Sequence, residues 1–145
     1  MIETAAFTEH LKSLTDSDWN TLFDLQAEIE TAEKFGELHL MDKTADGFIQ
    51  LPFWDLAPVA EQFIKVVYNL ELLPAFDWPK WKNGKKMLQN KDQDFNVLNI
   101  VTLCKLLTVI IRADRFNDGL LVRYFKNGTI QKIIKALQNK VSNKK

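Results

Sequence analysis

The sequence predicts a mainly α-helical fold: a single-domain orthogonal helical bundle of about six or seven helices, with a small β-like hairpin near residues 37–53. Three observations carry this. Apolar residues recur at spacings of three and four along most of the 145 residues, the period of helices that bury one face. One stretch, Phe95 to Ile111, is apolar almost all round and suits a helix enclosed by the others. Only between Phe35 and Trp54 does the pattern change to alternation. With 46% hydrophobic and 26% charged residues, the composition is that of a soluble globular domain, long enough for a core without disulfides or a structural metal.

Phe7, Leu11 and Leu14 fall at i, i+4 and i+7, a short amphipathic helix capped by Thr4 and ending before Thr15. A second helix starts after Asp16 or Ser17 and carries Trp19, Leu22, Leu25, Ile29 and Ala32 on one stripe, so the first two segments read as a helical hairpin. In the alternating window, Leu38 and Leu40 alternate with Glu37 and His39, and Ile49, Leu51 and Phe53 with Phe48, Gln50 and Pro52. Asp46-Gly47 reads as the turn, and Pro52 keeps its strand at an edge. Asp55 is placed to cap a third helix with Pro58 in its first turn, where the amides are unpaired in any case. Val59, Phe63, Val66, Val67, Leu70 and Leu73 make its buried stripe, and Pro74 closes it.

Ala75 to Trp81 is an aromatic connection, followed after Pro79 by a Lys-rich helix with Met87 and Leu88. Asp94 is expected to cap the central helix, in which Val97 and Leu98 open the apolar run; Asn96, Asn99 and Lys105, with the short length, exclude a membrane span. Asn117 or Asp118 starts the next helix, carrying Leu121, Tyr124 and Phe125 and stopped by Asn127-Gly128. Thr129 opens the last, with Ile130, Ile133, Ile134, Leu137 and Val141 inward and Lys132, Lys135 and Asn139 outward. The helical domain is expected to span residues 1–141, with 142–145 a frayed basic tail.

Catalytic chemistry is sparse. The two histidines, His10 and His39, fall on polar faces, and Cys104 lies in the most hydrophobic helix, where a lone cysteine acts as a small apolar residue. A single cysteine allows no intramolecular disulfide and no paired-Cys zinc knuckle, so a reducing, cytoplasmic setting is expected. Glu3, Glu9 and His10 interrupt what would be the apolar core of a secretion signal. Asp92, Asp94 and Asn96 alternate like the start of a calcium loop but lack its glycine and closing acid. The five glycines are isolated and form no phosphate cradle. Neither a metal nor a cofactor is expected, and an enzyme is the lesser expectation.

Two constellations remain. In Phe76-Asp77-Trp78-Pro79-Lys80-Trp81-Lys82, indoles alternate with lysines; Trp78 and Trp81 either stack bases beside neutralised phosphates or plug the end of the bundle. In Arg112-Ala113-Asp114-Arg115-Phe116-Asn117-Asp118-Gly119, one further helical turn puts Arg112 and Arg115 on one face. Their guanidinium forks either hold an anion or pair with Asp114, Asp118 or Asp77 as a corner between helices.

Charge is balanced, 19 basic against 19 acidic side chains, but not evenly placed. Through Asp77 there are four lysines and fifteen acids; after it, fifteen basic residues and four acids, a net of −11 followed by +11. No acid follows Asp118, while Arg123, Lys126, Lys132, Lys135, Lys140, Lys144 and Lys145 do. Three arrangements are open: neutralisation within one fold, head-to-tail pairing between copies, or a basic face for an external polyanion.

Asp77-Trp78-x-x-Trp81, the apolar helix, Arg112-x-Asp114-Arg115-Phe116-x-x-Gly119 and Gly128-x-Ile130 together resemble an uncharacterised bacterial domain family, a domain of unknown function. The resemblance covers about residues 56 to 141 and does not reach the first 50. It implies an α-helical domain of bacterial origin and brings no catalytic residue with it.

The expected function is a small cytoplasmic binding module contacting nucleic acid or another anionic partner through its basic C-terminal half. Arg112, Arg115, Lys132 and Lys135 are the candidate anion contacts, and Trp78, Trp81, Asp77, Asp114 and Asp118 the candidate stacking or pocket residues. The alternatives are a protein-interaction or homodimerisation domain, and a small enzyme with Arg112 and Arg115 as an anion clamp. No membrane partner is expected.

Overall fold

The most apolar stretch of the chain becomes the axis around which the other helices are arranged. A computed structural model describes residues 4–39, 42–43, 47, 49–50 and 53–142. In chain order these give α1 (Thr4–Ser13), α2 (Asp16–Phe23), α3 (Leu25–Thr31), β1 (Gly36–His39), β2 (Asp42–Lys43), β3 (Ile49–Gln50), β4 (Phe53–Leu56), α4 (Pro58–Asn69), α5 (Lys82–Gln89), α6 (Ile100–Asp114), α7 (Leu120–Lys126) and α8 (Thr129–Ser142). Short 3₁₀ turns stand at Trp78–Lys80 and Phe95–Val97. The fold is mainly α, as the periodicity requires. The expected Thr4 side-chain cap, the positions Leu40, Asp46, Phe48, Leu51 and Pro52, and the tail beyond Ser142 lie outside the described residues.

Leu103, Cys104, Leu106, Leu107 and Ile110 of α6 are fully enclosed, and α1, α5, α7 and α8 pack against this helix. Each such Leu or Ile contributes roughly 1.5–3 kcal/mol of burial free energy. The buried apolar residues form one cluster, in which Phe125 of α7 stacks on Phe35 at 4.8 Å and meets the edge of Phe63 of α4 at 5.3 Å. Those two ring contacts tie the hairpin's entry, α4 and α7 together. Among the described residues no helix is long and apolar enough to cross a membrane.

Several boundaries differ from the sequence reading, each for a local reason. The predicted second helix is two, because the chain breaks at Asp24, although Trp19, Leu22, Leu25 and Ile29 are all buried as their stripe demands. Its cap is Thr15, ahead of both expected positions, Asp16 and Ser17: the Thr15 hydroxyl accepts from the Asp18 N–H and the Asp18 carboxylate from the Thr15 N–H, a reciprocal capping box. Asp55 caps nothing; it sits in β4, and Ala57 precedes Pro58 at the first position of α4. Asp94 caps only the 3₁₀ turn, accepting from the Asn96 N–H, whereas Asn99 caps α6 through the Thr102 N–H at 2.8 Å. Val97, expected in the buried run, is therefore 70% exposed.

β1 pairs antiparallel with β4, and β2 with β3, in one shared register. Leu38 lies opposite Trp54 and His39 opposite Phe53. Phe53 therefore shares a face with His39 rather than with Leu38, and stacks on that ring at 4.7 Å. Gly36 is buried against Val122 of α7, so the other face of the hairpin is the one that docks.

Candidate functional site

The segment from Arg112 to Gly119 turns the chain from α6 into α7, and its residues divide into two groups. Asp114, Asp118 and Gly119 build the turn. The Asp114 carboxylate accepts the Leu121 N–H at 2.9 Å, satisfying a first-turn amide of α7 from the end of the previous helix. Burial raises the Asp114 carboxyl above its ordinary value, with Asp118 adding to the rise and the Leu121 N–H opposing it. Asp118 does not start α7, as its position had suggested; its carboxylate accepts the Trp54 N–H at 2.9 Å and clips the hairpin to the corner. The N-cap is Gly119, at φ +93°, a conformation that L side chains rarely adopt.

Arg112 and Arg115 form no ion pair with those acids. α6 runs to Asp114 and Arg115 stays helical, which sets the two arginines three residues apart on one face. Both converge on Tyr68 of α4: the Arg112 guanidinium lies over the ring at 5.7 Å, and Arg115 donates to the hydroxyl at 3.3 Å. Neither takes part in an ion pair among the described residues, where Lys12 pairs with Glu9, Lys34 with Glu37 and Lys80 with Asp77, and His39 stands 3.6 Å from Asp55. These pairs are exposed, and each joins residues of one segment or of the hairpin. Arg112 also lines a cleft of about 360 Å³ with His10, Tyr68, Glu71 and a set of apolar side chains.

The aromatic connection is engaged with the protein. Trp81 meets Phe76 edge-on at 5.6 Å and lies so close to α5 that a Cβ on Gly84 would stand 2.3 Å from its ring. Lys105 of α6 sits over both rings, 5.1 Å from Phe76 and 5.7 Å from Trp81. Trp78 is half-buried and tilted against Phe116 at 6.3 Å, while Phe116 itself is 83% exposed. Asp77 pairs with Lys80 at 3.6 Å.

A larger groove, about 630 Å³, opens where α5 and the segment after it approach α7 and the start of α8. Its charged lining is Lys85, Lys91, Arg123 and Lys132, and none of its lining residues is acidic. Asn90, Asn117 and Asn127 add amides, and Tyr124 lines it with a hydroxyl whose pKa burial raises. Lys85 also donates to the Pro79 carbonyl at 3.1 Å. Lys132 is the sequence candidate found here; Lys135, also exposed on α8, lies outside the lining, as do Trp78 and Trp81. Periodicity placed Lys132 on an outward face, but its convergence with Arg123, Lys85 and Lys91 depends on how three helices pack.

The remaining chemistry-bearing residues are accounted for locally. His10, read as lying on an exposed face, is half-buried, and its Nε2–H donates to the Leu70 carbonyl at 2.8 Å. His39 pairs with Asp55 at 3.6 Å. Cys104 is fully buried, and desolvation pushes its thiol up to about 12, leaving no useful thiolate. Tyr68 and Glu71, absent from the sequence candidates, gave only a faint signal: polar side chains at the end of an otherwise apolar stripe.

The model of a family of unknown function, DUF6508, matches residues 14–143, and the chain belongs to that family. The match begins at residue 14, so it takes in α2, α3 and the hairpin, which the resemblance read from the sequence had left out. No curated protein and no solved structure matches the chain.

Proposed function

We propose that this member of DUF6508 is a binding module that holds the phosphodiester backbone of a nucleic acid in the groove between α5, α7 and α8. One observation carries the reading: Lys85, Lys91, Arg123 and Lys132 converge on a single concavity with no carboxylate in its lining. Cations held together by the backbone repel one another, and a polyanion laid along them relieves that repulsion. Because neither Trp78 nor Trp81 lines the groove, the contacts run through phosphates, which position a nucleic acid without reading its bases. A reducing, cytoplasmic setting suits the single cysteine.

The test is fluorescence anisotropy with a single-stranded DNA oligonucleotide of mixed sequence and with its duplex. With four phosphate contacts, counterion release lowers the association constant about 50-fold for the single strand and about 150-fold for the duplex between roughly 50 and 200 mM salt. An affinity that stays flat across that range removes the reading.

A second reading, a protein-interaction or homodimer surface, draws on Phe116, 83% exposed beside the half-buried Trp78. Sedimentation that finds only monomer at micromolar concentration removes its homodimer form.

A further inference from the structure

The smaller cleft shares no lining residue with the basic groove. It lies between α1, the end of α4 and the last turn of α6. At about 360 Å³ it is at the small end of ligand pockets, the size of a metabolite rather than of a polymer. Phe7, Val67, Leu73 and Pro74 supply an apolar wall, and Arg112, over the Tyr68 ring, supplies a guanidinium that none of the described ion pairs uses. Glu71 lines the same cleft at φ +53°, the one non-glycine residue with positive φ among the described residues. Backbone in that region costs free energy and persists only where the surroundings hold it. Here the Leu72 N–H to Val67 carbonyl bond at 3.1 Å and the His10 side chain on the Leu70 carbonyl hold the end of α4 in place.

We propose that this cleft binds a small apolar monocarboxylate, its carboxylate on Arg112 and its hydrocarbon body against Phe7, Val67, Leu73 and Pro74. A planar guanidinium fork matches a carboxylate bidentately, and the cation–π contact with Tyr68 at 5.7 Å positions it in advance. One guanidinium and one carboxylate in the lining leave no surplus positive charge for a dianion. A plain carboxylic acid and an apolar α-amino acid share this chemistry, and Glu71 is the group that separates them, since only the amino acid brings an ammonium to it.

Three probes with the same body decide the matter: 3-phenylpropanoate, L-phenylalanine and neutral 3-phenylpropanol, titrated into the full chain and followed by amide NMR shifts. Expected is saturable binding of at least one carboxylate at millimolar concentration, with shifts in α1, residues 67–74 and the end of α6, and the alcohol at least about tenfold weaker. Arg112→Gln, folded by circular dichroism, abolishes that preference for the acids. A Glu71→Gln loss confined to phenylalanine marks the amino acid as the ligand class; a gain for phenylpropanoate marks the plain acid. The proposal is overturned if the alcohol binds as well as the acids, if a folded Arg112→Gln protein keeps the preference, or if neither acid binds. The alcohol comparison uses the unmodified chain and stands even if Arg112→Gln does not fold. Since the two sites share no residue, failure here leaves the nucleic-acid groove untouched, and the reverse.

Discussion

The indole of Trp54 rests on the backbone of Gly119, so closely that a Cβ there would stand 2.1 Å from Trp54 Nε1. The same tryptophan gives its backbone N–H to Asp118 and has Lys126 over its ring at 5.6 Å. Trp54 therefore fastens the hairpin to the α6–α7 corner, and the Arg-x-Asp-Arg-Phe-x-x-Gly element is in part a fastening.

Gly119→Ala should lose more than about 2 kcal/mol, because the new methyl meets a ring while φ stays positive. Asp118→Ala removes the hydrogen bond to Trp54 while relieving its repulsion with Asp114, and should cost no more than about 1 kcal/mol. Urea denaturation measures both. Equal, small losses would show that Trp54 does not dock there.

Asp114→Ala should cost about 1 kcal/mol through the lost Leu121 cap. Asp114→Asn keeps an oxygen acceptor and removes the titration. The folded state holds the Asp114 proton more tightly than the unfolded chain does, so the stabilisation is present at low pH and lost as pH rises through the raised folded value. Relative to Asp114→Asn, the unmodified protein should gain stability as pH falls from neutral toward the ordinary Asp value of about 3.9. Parallel pH profiles for the two would contradict this.

Glu71→Gly should raise stability by about 1 kcal/mol, since glycine adopts the left-handed conformation at the end of α4 without a Cβ penalty. A lower urea midpoint for the variant would mean that the Glu71 side chain stabilises the fold by more than its backbone costs.

Arg123→Gln and Lys132→Gln should each flatten the salt dependence of oligonucleotide binding by about 1 in the log–log slope, with melting temperature little changed because both side chains are exposed. Lys135→Gln, on the same helix as Lys132 but outside the groove, should leave the slope as it is. If the Lys135 change acted like the other two, binding would depend on overall charge rather than on the groove.

The helices were legible because their signal is local. Leu22, Phe63, Leu107 and Ile133 recur at helical spacing, and each is fully buried. Their starts were less legible, since Thr15 and Asp16, or Asp94 and Asn99, are all competent caps, and the choice falls to the residue whose helix packs best. The pairing of His39 with Phe53 was not legible, because register is a relation between two strands and neither strand states it alone.

Composition and periodicity by themselves determined a mainly helical chain with α6 at its centre, a buried inert Cys104 and a strongly basic second half, all properties set by neighbours within about one helical turn. Only the tertiary structure decided that Asp114 and Asp118 bind backbone amides while Arg112 and Arg115 turn to Tyr68. It also decided that Lys85, Lys91, Arg123 and Lys132 share a groove while Lys135 does not. The physical reason is the same in each case: hydrogen-bond partners and convergent charges come from residues tens of positions apart, brought within a few ångströms by core packing.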